Sequence, residues 1–328
     1  MKESSVVISC DEPTSRVVRD VLSHVPGLVL HDVESLSAPA GRDLAKDCAA
    51  VVVTTSPVPA EVVATMERCL VISRAGTGLD AIAVEAATDR GIWVTSVPDY
   101  AVDEVSSHTI LLILALARRL VTLLELPRRG VWQARDAGPV PRIAGLTLGL
   151  FGLGRIGSAV AKKAQALGMR TITHTIEVAA PDLEVEVVPW EQLLRESDFL
   201  SLHVPLTPET HHAINELALR QMKPTAYLVN TARGPLVDEA VLQEALAEGW
   251  IAGAALDVLN VEPPARDHPF LSDPKVLVTP HAAWYSVESG PASAAGACDD
   301  VLRVLRGELP RRPVNNPRSP RNLTGTLT

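Results

Sequence analysis

Gly149-Leu-Phe-Gly-Leu-Gly-Arg-Ile-Gly157 decides how the rest of this chain is read. Leu146–Phe151 is a short apolar run of strand type, and Ser158–Leu167 continues with helical spacing. Between them Gly152, Gly154 and Gly157, with Arg155 and Ile156, form the G-x-G-x-x-G pattern of a dinucleotide-binding turn. The first glycine permits the tight turn, the second lets backbone approach a pyrophosphate, and the third lets the helix pack closely on its strand. The helix N-terminus then offers N–H groups and a positive dipole end to phosphate. Three spaced glycines also occur in ordinary turns; the strand before and the helix after favour the phosphate-binding reading.

The remaining composition narrows what surrounds this turn. A chain of 328 residues is long enough for two domains with their own cores. With 47% hydrophobic and 21% charged residues it falls in the ordinary globular range, not the disordered one. A net charge of −9 argues against a nucleic-acid-binding surface. The scattered arginines from Arg303 to Arg321, among prolines and asparagines, read as a solvated, partly disordered end. Cys10, Cys48, Cys69 and Cys298 lack paired or metal-like spacing, so a reducing compartment and no metal are expected. No signal peptide is apparent, and Arg118 and Arg119 interrupt the apolar Thr109–Leu126 stretch, which therefore reads as a buried helix and not a membrane span. The expectation is a soluble, cytoplasmic protein without membrane partners.

Short β-type pieces at Val6–Cys10, Val29–Leu30, Val51–Thr54, Leu70–Ser73 and Trp93–Thr95 alternate with helical segments. After Pro98, Val102–Leu124 reads as one long helix. The alternation resumes after the glycine turn with Thr171–Thr173, Phe199–His203, Tyr227–Asn230, Ala254–Asp257 and Val276–Thr279, and a final helix is expected at about Ser289–Leu305. Such alternation predicts an α/β protein of two doubly wound parallel-sheet domains. A dinucleotide-binding Rossmann domain, residues 101–284, is inserted into a flavodoxin-like substrate domain, residues 1–100 and 285–328. A ligand is expected in the cleft between them, at the carboxyl ends of the strands. Val102–Leu124 is apolar on too many faces for an isolated surface helix, which predicts a homodimer with this helix in the interface.

Three segments place chemistry at one sheet edge. Val229-Asn-Thr-Ala-Arg-Gly-Pro-Leu-Val-Asp-Glu239 sets Arg233 just after a strand. Ala254-Ala-Leu-Asp-Val-Leu-Asn-Val-Glu-Pro263 sets Asp257 and Glu262 after the next, and Val278-Thr-Pro-His-Ala-Ala-Trp-Tyr-Ser286 sets His281 after the last. An Arg, a Glu and a His converging there suit an acid–base site with an anion clamp. Taken singly, each is better read without a function: Arg233 as a surface charge beside a turn glycine, Glu262 as a loop carboxylate before two prolines and His281 as a capping residue.

Together with Arg74-Ala-Gly-Thr-Gly-Leu-Asp80, these motifs resemble the D-isomer-specific 2-hydroxyacid dehydrogenase family. The likeness runs from about Arg74 to Ser286, with five motifs in the family's order and approximate spacing. Thr279–Ser286 looks most like the C-terminal-binding-protein branch, whereas Arg74–Asp80 and Glu85-Ala-Ala-Thr88 look like phosphoglycerate dehydrogenases. The resemblance implies an NAD(P)-dependent oxidoreductase interconverting a small D-2-hydroxy acid and its 2-keto acid. It implies His281 as the general acid for the keto oxygen, Glu262 as the carboxylate that orients the imidazole and favours its protonated form, and Arg233 as the clamp on the substrate carboxylate. It also implies substrate contacts from Arg74, Gly76, Gly78 and Trp284, with the neighbouring backbone and Thr77 near a cofactor phosphate. Asp257, Thr231 and Ala232 would hold the nicotinamide carboxamide, and Val204, Pro205 and Thr210 the adenosine side. Trp284 reads equally as plain packing.

Two positions depart from the family pattern. The acidic residue that ends the second Rossmann strand and binds ribose hydroxyls is replaced by His174 or Thr175 in Thr173-His-Thr-Ile-Glu177. Losing that carboxylate opens the site to NADP, yet no Arg or Lys follows, and Glu177, Asp182, Glu184 and Glu186 make the vicinity acidic. NAD is therefore slightly favoured over NADP. Ser107 stands where many members have Glu. Two other roles fit the same residues: an NAD(H)-responsive, corepressor-like binding protein, and a family variant oxidising another small anion such as phosphite.

Overall fold

A strand covered on both faces has no polar side and reads as an unbroken apolar run. Ala50–Val53 and Gly253–Leu256 are such strands, and Phe199–Leu202 is one but for Ser201; all three are buried along their whole length. The computed structural model describes residues 4–178 and 183–321, and the side chains of all of these except 176–178. The chain begins β1 (Ser4–Ser9), α1 (Glu12–Leu22), β2 (Leu28–Asp32), α2 (Pro39–Asp47), β3 (Ala50–Val53), α3 (Ala60–Thr65), β4 (Val71–Arg74), α4 (Val84–Asp89) and β5 (Trp93–Thr95). These strands form one parallel sheet in the order β2-β1-β3-β4-β5, the order of flavodoxin-like folds.

Next come α5 (Val102–Ala117), α6 (Leu120–Arg128), β6 (Thr147–Leu153), α7 (Arg155–Ala166), β7 (Arg170–Val178), β8 (Glu186–Val187), α8 (Trp190–Glu196) and β9 (Phe199–Leu202). The series closes with α9 (Glu216–Gln221), β10 (Tyr227–Asn230), α10 (Glu239–Glu248), β11 (Gly253–Leu256) and β12 (Val276–Val278), and α11 (Ser289–Leu305) follows. The second sheet is parallel with order β12-β11-β10-β9-β6-β7-β8. Its winding reverses between β6 and β9, the switch point at which open α/β sheets bind ligands. The chain divides into two compact units, Met1–Tyr100 with Ser286–Thr328, and Ala101–Tyr285.

The long helix expected over Val102–Leu124 is two helices. Arg119 adopts a left-handed conformation, φ +49°, and ends the run begun at Val102; its guanidinium Nη1 donates to Ala137 O at 2.9 Å. Nothing in the apolar spacing marks this break, because Leu120–Leu126 continues as apolar as what precedes it. Much of the apolar surface of α5 is also used inside its own unit: Ile110, Leu112, Ile113 and Leu116 share a core with Leu148 and Leu150 of β6 and Val160 and Ala164 of α7. Leu111, Leu120, Val121 and Leu124 stay exposed.

The segment after α11 is likewise not a loose, solvated end. Val314 N donates to Val94 O at 2.8 Å, and the Asn315 amide accepts from Val94 N at 2.8 Å and donates to Ile92 O at 2.9 Å. Arg321 N reaches Gly91 O at 2.9 Å, and Arg312 Nη1 pairs with the fully buried Asp300 at 2.7 Å. These groups cover the open edge at β5, and an edge strand presents unpaired N–H and C=O groups that such a strap satisfies. Proline- and arginine-rich composition records solvation but not a sheet edge waiting for donors.

Candidate active site

The glycine turn sits at the carboxyl end of β6. Gly152 has φ +97°, and a Cβ there would lie 2.8 Å from His203 O and 2.9 Å from Val204 Cγ1. A Cβ on Gly157 would lie 2.4 Å from Gly152 O, so α7 can approach β6 this closely only without a side chain. Gly154 is different: a Cβ there meets no heavy atom within 4 Å, and both Gly154 and Arg155 are exposed. That open cradle lies at the N-terminus of α7, which no side chain caps. Bare backbone beside an uncapped helix start fits a pyrophosphate. Ile156 is half-buried against the core beneath.

Beside the turn, His203 at the end of β9 was not foreseen as part of this region. Its Nε2 lies 2.9 Å from Ser201 Oγ, and desolvation pushes its pKa down to about 4, so it is neutral at ordinary pH. The following Val204–Pro205 loop closes on itself, with Thr210 Oγ1 donating to Pro205 O at 2.7 Å and accepting from Thr207 N at 2.8 Å.

β7 runs past the expected end at His174 or Thr175 to Val178, with a slip in its pairing to β6 between Phe151 and Leu153. His174 packs between Phe151 and Trp190 and bonds Val188 O through Nδ1 at 3.1 Å. Of the acidic residues read nearby, Glu186 is paired with Arg170 at 2.6 Å; Asp182 and the side chain of Glu177 lie outside the described residues.

Three strand ends build the acid–base group. Glu262 Oε2 lies 2.6 Å from His281 Nδ1, which leaves Nε2 as the ring nitrogen able to exchange a proton. The other carboxylate oxygen accepts from Leu259 N at 2.9 Å. Burial alone would raise the Glu262 carboxyl; the hydrogen bonds from His281 and Leu259 and the charges of His281 and Arg233 outweigh it and hold it below its ordinary value. Arg233 follows β10 in a turn shaped by Asn230, whose amide donates to Arg233 O at 2.8 Å and accepts from Ala232 N at 3.0 Å. Gly234 packs directly on Leu259 and Asn260, where a Cβ would lie 2.1 Å from the Leu259 carbonyl carbon. That contact sets the Arg233 turn against the loop carrying Glu262.

His281 has φ +50°, which is uncommon for a non-glycine residue. Asp257 imposes it. The Asp257 carbonyl accepts from His281 N at 2.8 Å, and its carboxylate accepts from Ala282 N at 2.9 Å and Ala283 N at 3.0 Å. Three consecutive N–H groups thus converge on one buried residue. Thr231, also buried, bonds Thr109 on α5 at 2.9 Å between hydroxyl oxygens. Trp284 is half-buried and stands edge-on to Tyr285, with centroids 5.7 Å apart. Among the described residues no cluster of His, Cys, Asp and Glu could hold a metal ion, and no helix is long and apolar enough to cross a membrane.

In the other unit, Arg74 closes β4 and its Nε donates to Gly78 O at 3.0 Å, while Val97 N donates to Gly76 O at 2.9 Å. Thr77 is exposed between the two glycines, its hydroxyl 3.4 Å from Val97 O.

The model of the D-isomer specific 2-hydroxyacid dehydrogenase family, NAD binding domain, matches residues 110–283. A glyoxylate reductase of Korarchaeum cryptofilum is 43% identical over 278 residues, 82% of this chain and 83% of that protein. A D-3-phosphoglycerate dehydrogenase of Methanocaldococcus jannaschii is 40% identical over 86% of this chain and 54% of its own length. The crystal structure of D-lactate dehydrogenase from Aquifex aeolicus, complexed with NAD and lactic acid, superposes with a TM-score of 0.84 at 29% identity, covering 93% of this chain and 96% of that one. With a glycine turn at the switch point, a Glu–His pair after the third and fourth strands from it and a family model matching more than half its length, this chain belongs to the D-isomer specific 2-hydroxyacid dehydrogenases, NAD(P)-dependent oxidoreductases of 2-hydroxy and 2-keto acids.

Proposed function

We propose that the chain reduces a small 2-keto acid of the glyoxylate class, with His281 as proton donor, Glu262 as its orienting carboxylate and Arg233 as the carboxylate clamp. The 2.6 Å contact between Glu262 and His281 carries this reading, since it fixes the ring and leaves Nε2 for the keto oxygen. A nicotinamide held at this site would supply the hydride for the carbonyl carbon. Gly152, Gly154, Arg155, Ile156 and Gly157 would hold its pyrophosphate, Thr231, Ala232 and Asp257 the nicotinamide end, and Val204, Pro205 and Thr210 the adenosine side. Arg233 contributes a planar fork of donors matched to a carboxylate, which an ammonium group cannot reproduce. The Arg74–Gly78 loop, with Gly76 and Thr77, would offer backbone N–H groups to an anion. Identity of 43% to a glyoxylate reductase supports the small substrate. Turnover of glyoxylate, pyruvate and hydroxypyruvate with each reduced dinucleotide tests the proposal. Binding of dinucleotide without turnover of any keto acid would favour the corepressor-like role instead.

The Glu262–His281 pair gives a pH signature. A carboxyl held below its ordinary value keeps the pair intact above the ordinary carboxylate range and loses it only as the pH falls through the lowered value. Glu262→Gln removes the group that titrates there, so the decline of keto-acid reduction as the pH falls through the lowered carboxyl value should be absent from the variant. A pH–rate profile superimposable on the wild-type one would remove Glu262 from this role.

At the adenosine end, Thr175 stands in place of a carboxylate, and NAD is proposed as the slightly preferred cofactor with weak rejection of NADP. Thr175→Asp should tighten NAD and exclude NADP, because like charges repel across the ribose 2′ position. Titration showing strong exclusion of NADP by the wild type would contradict this. We also propose a homodimer that covers Leu111, Leu120, Val121 and Leu124 of α5 and α6, four exposed apolar side chains. A monomeric mass by light scattering at micromolar concentration would refute it.

A further inference from the structure

We propose that His108 is a positioning residue for His281, acting from α5 through Thr279 and Asp257; the inference rests on the reading of His281 as the proton donor. Thr279 Oγ1 lies 2.5 Å from Asp257 Oδ1 and 3.1 Å from His108 Nε2. The hydroxyl has one proton and the carboxylate accepts only, so that proton goes to Asp257. Toward His108 the hydroxyl then presents a lone pair, and Nε2 must be the donor. His108 is therefore held with its proton on Nε2, whose distance to Asp257 Oδ1 is 3.6 Å.

The chain of bonds ends on the groups that set His281. Asp257 is only 2% exposed and collects the N–H groups of residues 281, 282 and 283, which maintain φ +50° at His281. Thr279 itself extends the β12 ladder, its N–H donating to Leu256 O at 3.0 Å. His108 is thus the link between this loop and a rigid helix packed in the core. The next residue, Thr109, bonds Thr231 after β10, so one turn of α5 fastens two of the loops that carry the site. Buried networks of this kind rigidify when every donor and acceptor is matched.

A displacement of about 1 Å at a reacting group costs about 10²-fold in rate. His108→Ala and Thr279→Val should each lower the turnover number about 10- to 100-fold, while the KM for glyoxylate stays close to wild type. His108→Gln replaces the Nε2–H with an amide N–H, and Thr279→Ser keeps the hydroxyl; each should restore most of the rate. The double variant His108→Ala with Thr279→Val should be no slower than either single one, as for residues in one chain of bonds. Near wild-type turnover in both single variants, with His281→Ala inactive, would overturn the positioning role alone. A loss that Gln and Ser fail to rescue would make His108 a packing residue and also overturn it. Wild-type turnover in His281→Ala would overturn the proton-donor reading, and this inference with it.

Discussion

His281→Ala will reduce keto acids about 10²–10⁴-fold more slowly than the wild type, the usual worth of general acid–base catalysis. The loss belongs in turnover because the imidazole is 45% exposed and packs no core, while Nδ1 is already engaged by Glu262. Removing the ring deletes the Nε2 proton and leaves intact the glycine turn after β6, the proposed dinucleotide site. Stopped-flow reduction of glyoxylate and fluorescence titration of reduced dinucleotide separate the two quantities. A variant that loses cofactor affinity in step with rate would show His281 to be a binding residue. One that keeps wild-type turnover would remove it from the chemistry. The φ +50° backbone gives a further check, because the N–H bonds to Asp257 do not involve the imidazole and should keep the loop folded in the variant.

Gly154→Ala and Gly157→Ala should fail in different ways. At Gly154 a methyl group meets nothing within 4 Å, so the free protein should fold with an unchanged thermal midpoint. On the proposed reading the methyl would occupy the space that a pyrophosphate enters, and dinucleotide affinity should drop about tenfold or more, roughly 1.4 kcal/mol. At Gly157 the Cβ would stand 2.4 Å from Gly152 O, a backbone atom that cannot step aside. Helix α7 must then lift from β6, costing both affinity and about 1–3 kcal/mol of stability by overpacking. Calorimetric titration with thermal denaturation distinguishes the pair. Wild-type dinucleotide affinity in Gly154→Ala would mean that the phosphate does not approach the turn there.

Much of this architecture is local. Apolar runs such as Ala50–Val53 suit the buried strands of a parallel sheet, and Gly152 and Gly157 specify a close turn that a side chain at either position would block. The helix over Ser289–Leu305 follows from its own spacing, with the bounds the structure shows. Arg233, Glu262 and His281 stand next to strand ends in the sequence, so their common edge follows from the order of strands in a parallel sheet.

Other features depend on contacts between segments far apart in the chain. The break at Arg119 is stabilised by Ala137, and the segment after α11 is held by the open edge at β5, so neither is recorded in its own composition. The same holds for His108, an unremarkable residue beside Ser107 until α5 packs against β10 and β11 and brings it to Thr279. Glycine spacing and apolar period determined the two sheets, the turn and the residue types of the site, because those depend on backbone sterics and burial within a few residues. Tertiary structure alone decided the left-handed backbone of His281, the triple N–H grip of Asp257 and the 2.6 Å contact with Glu262, because a hydrogen bond between strand-end loops exists only once the sheet has aligned them.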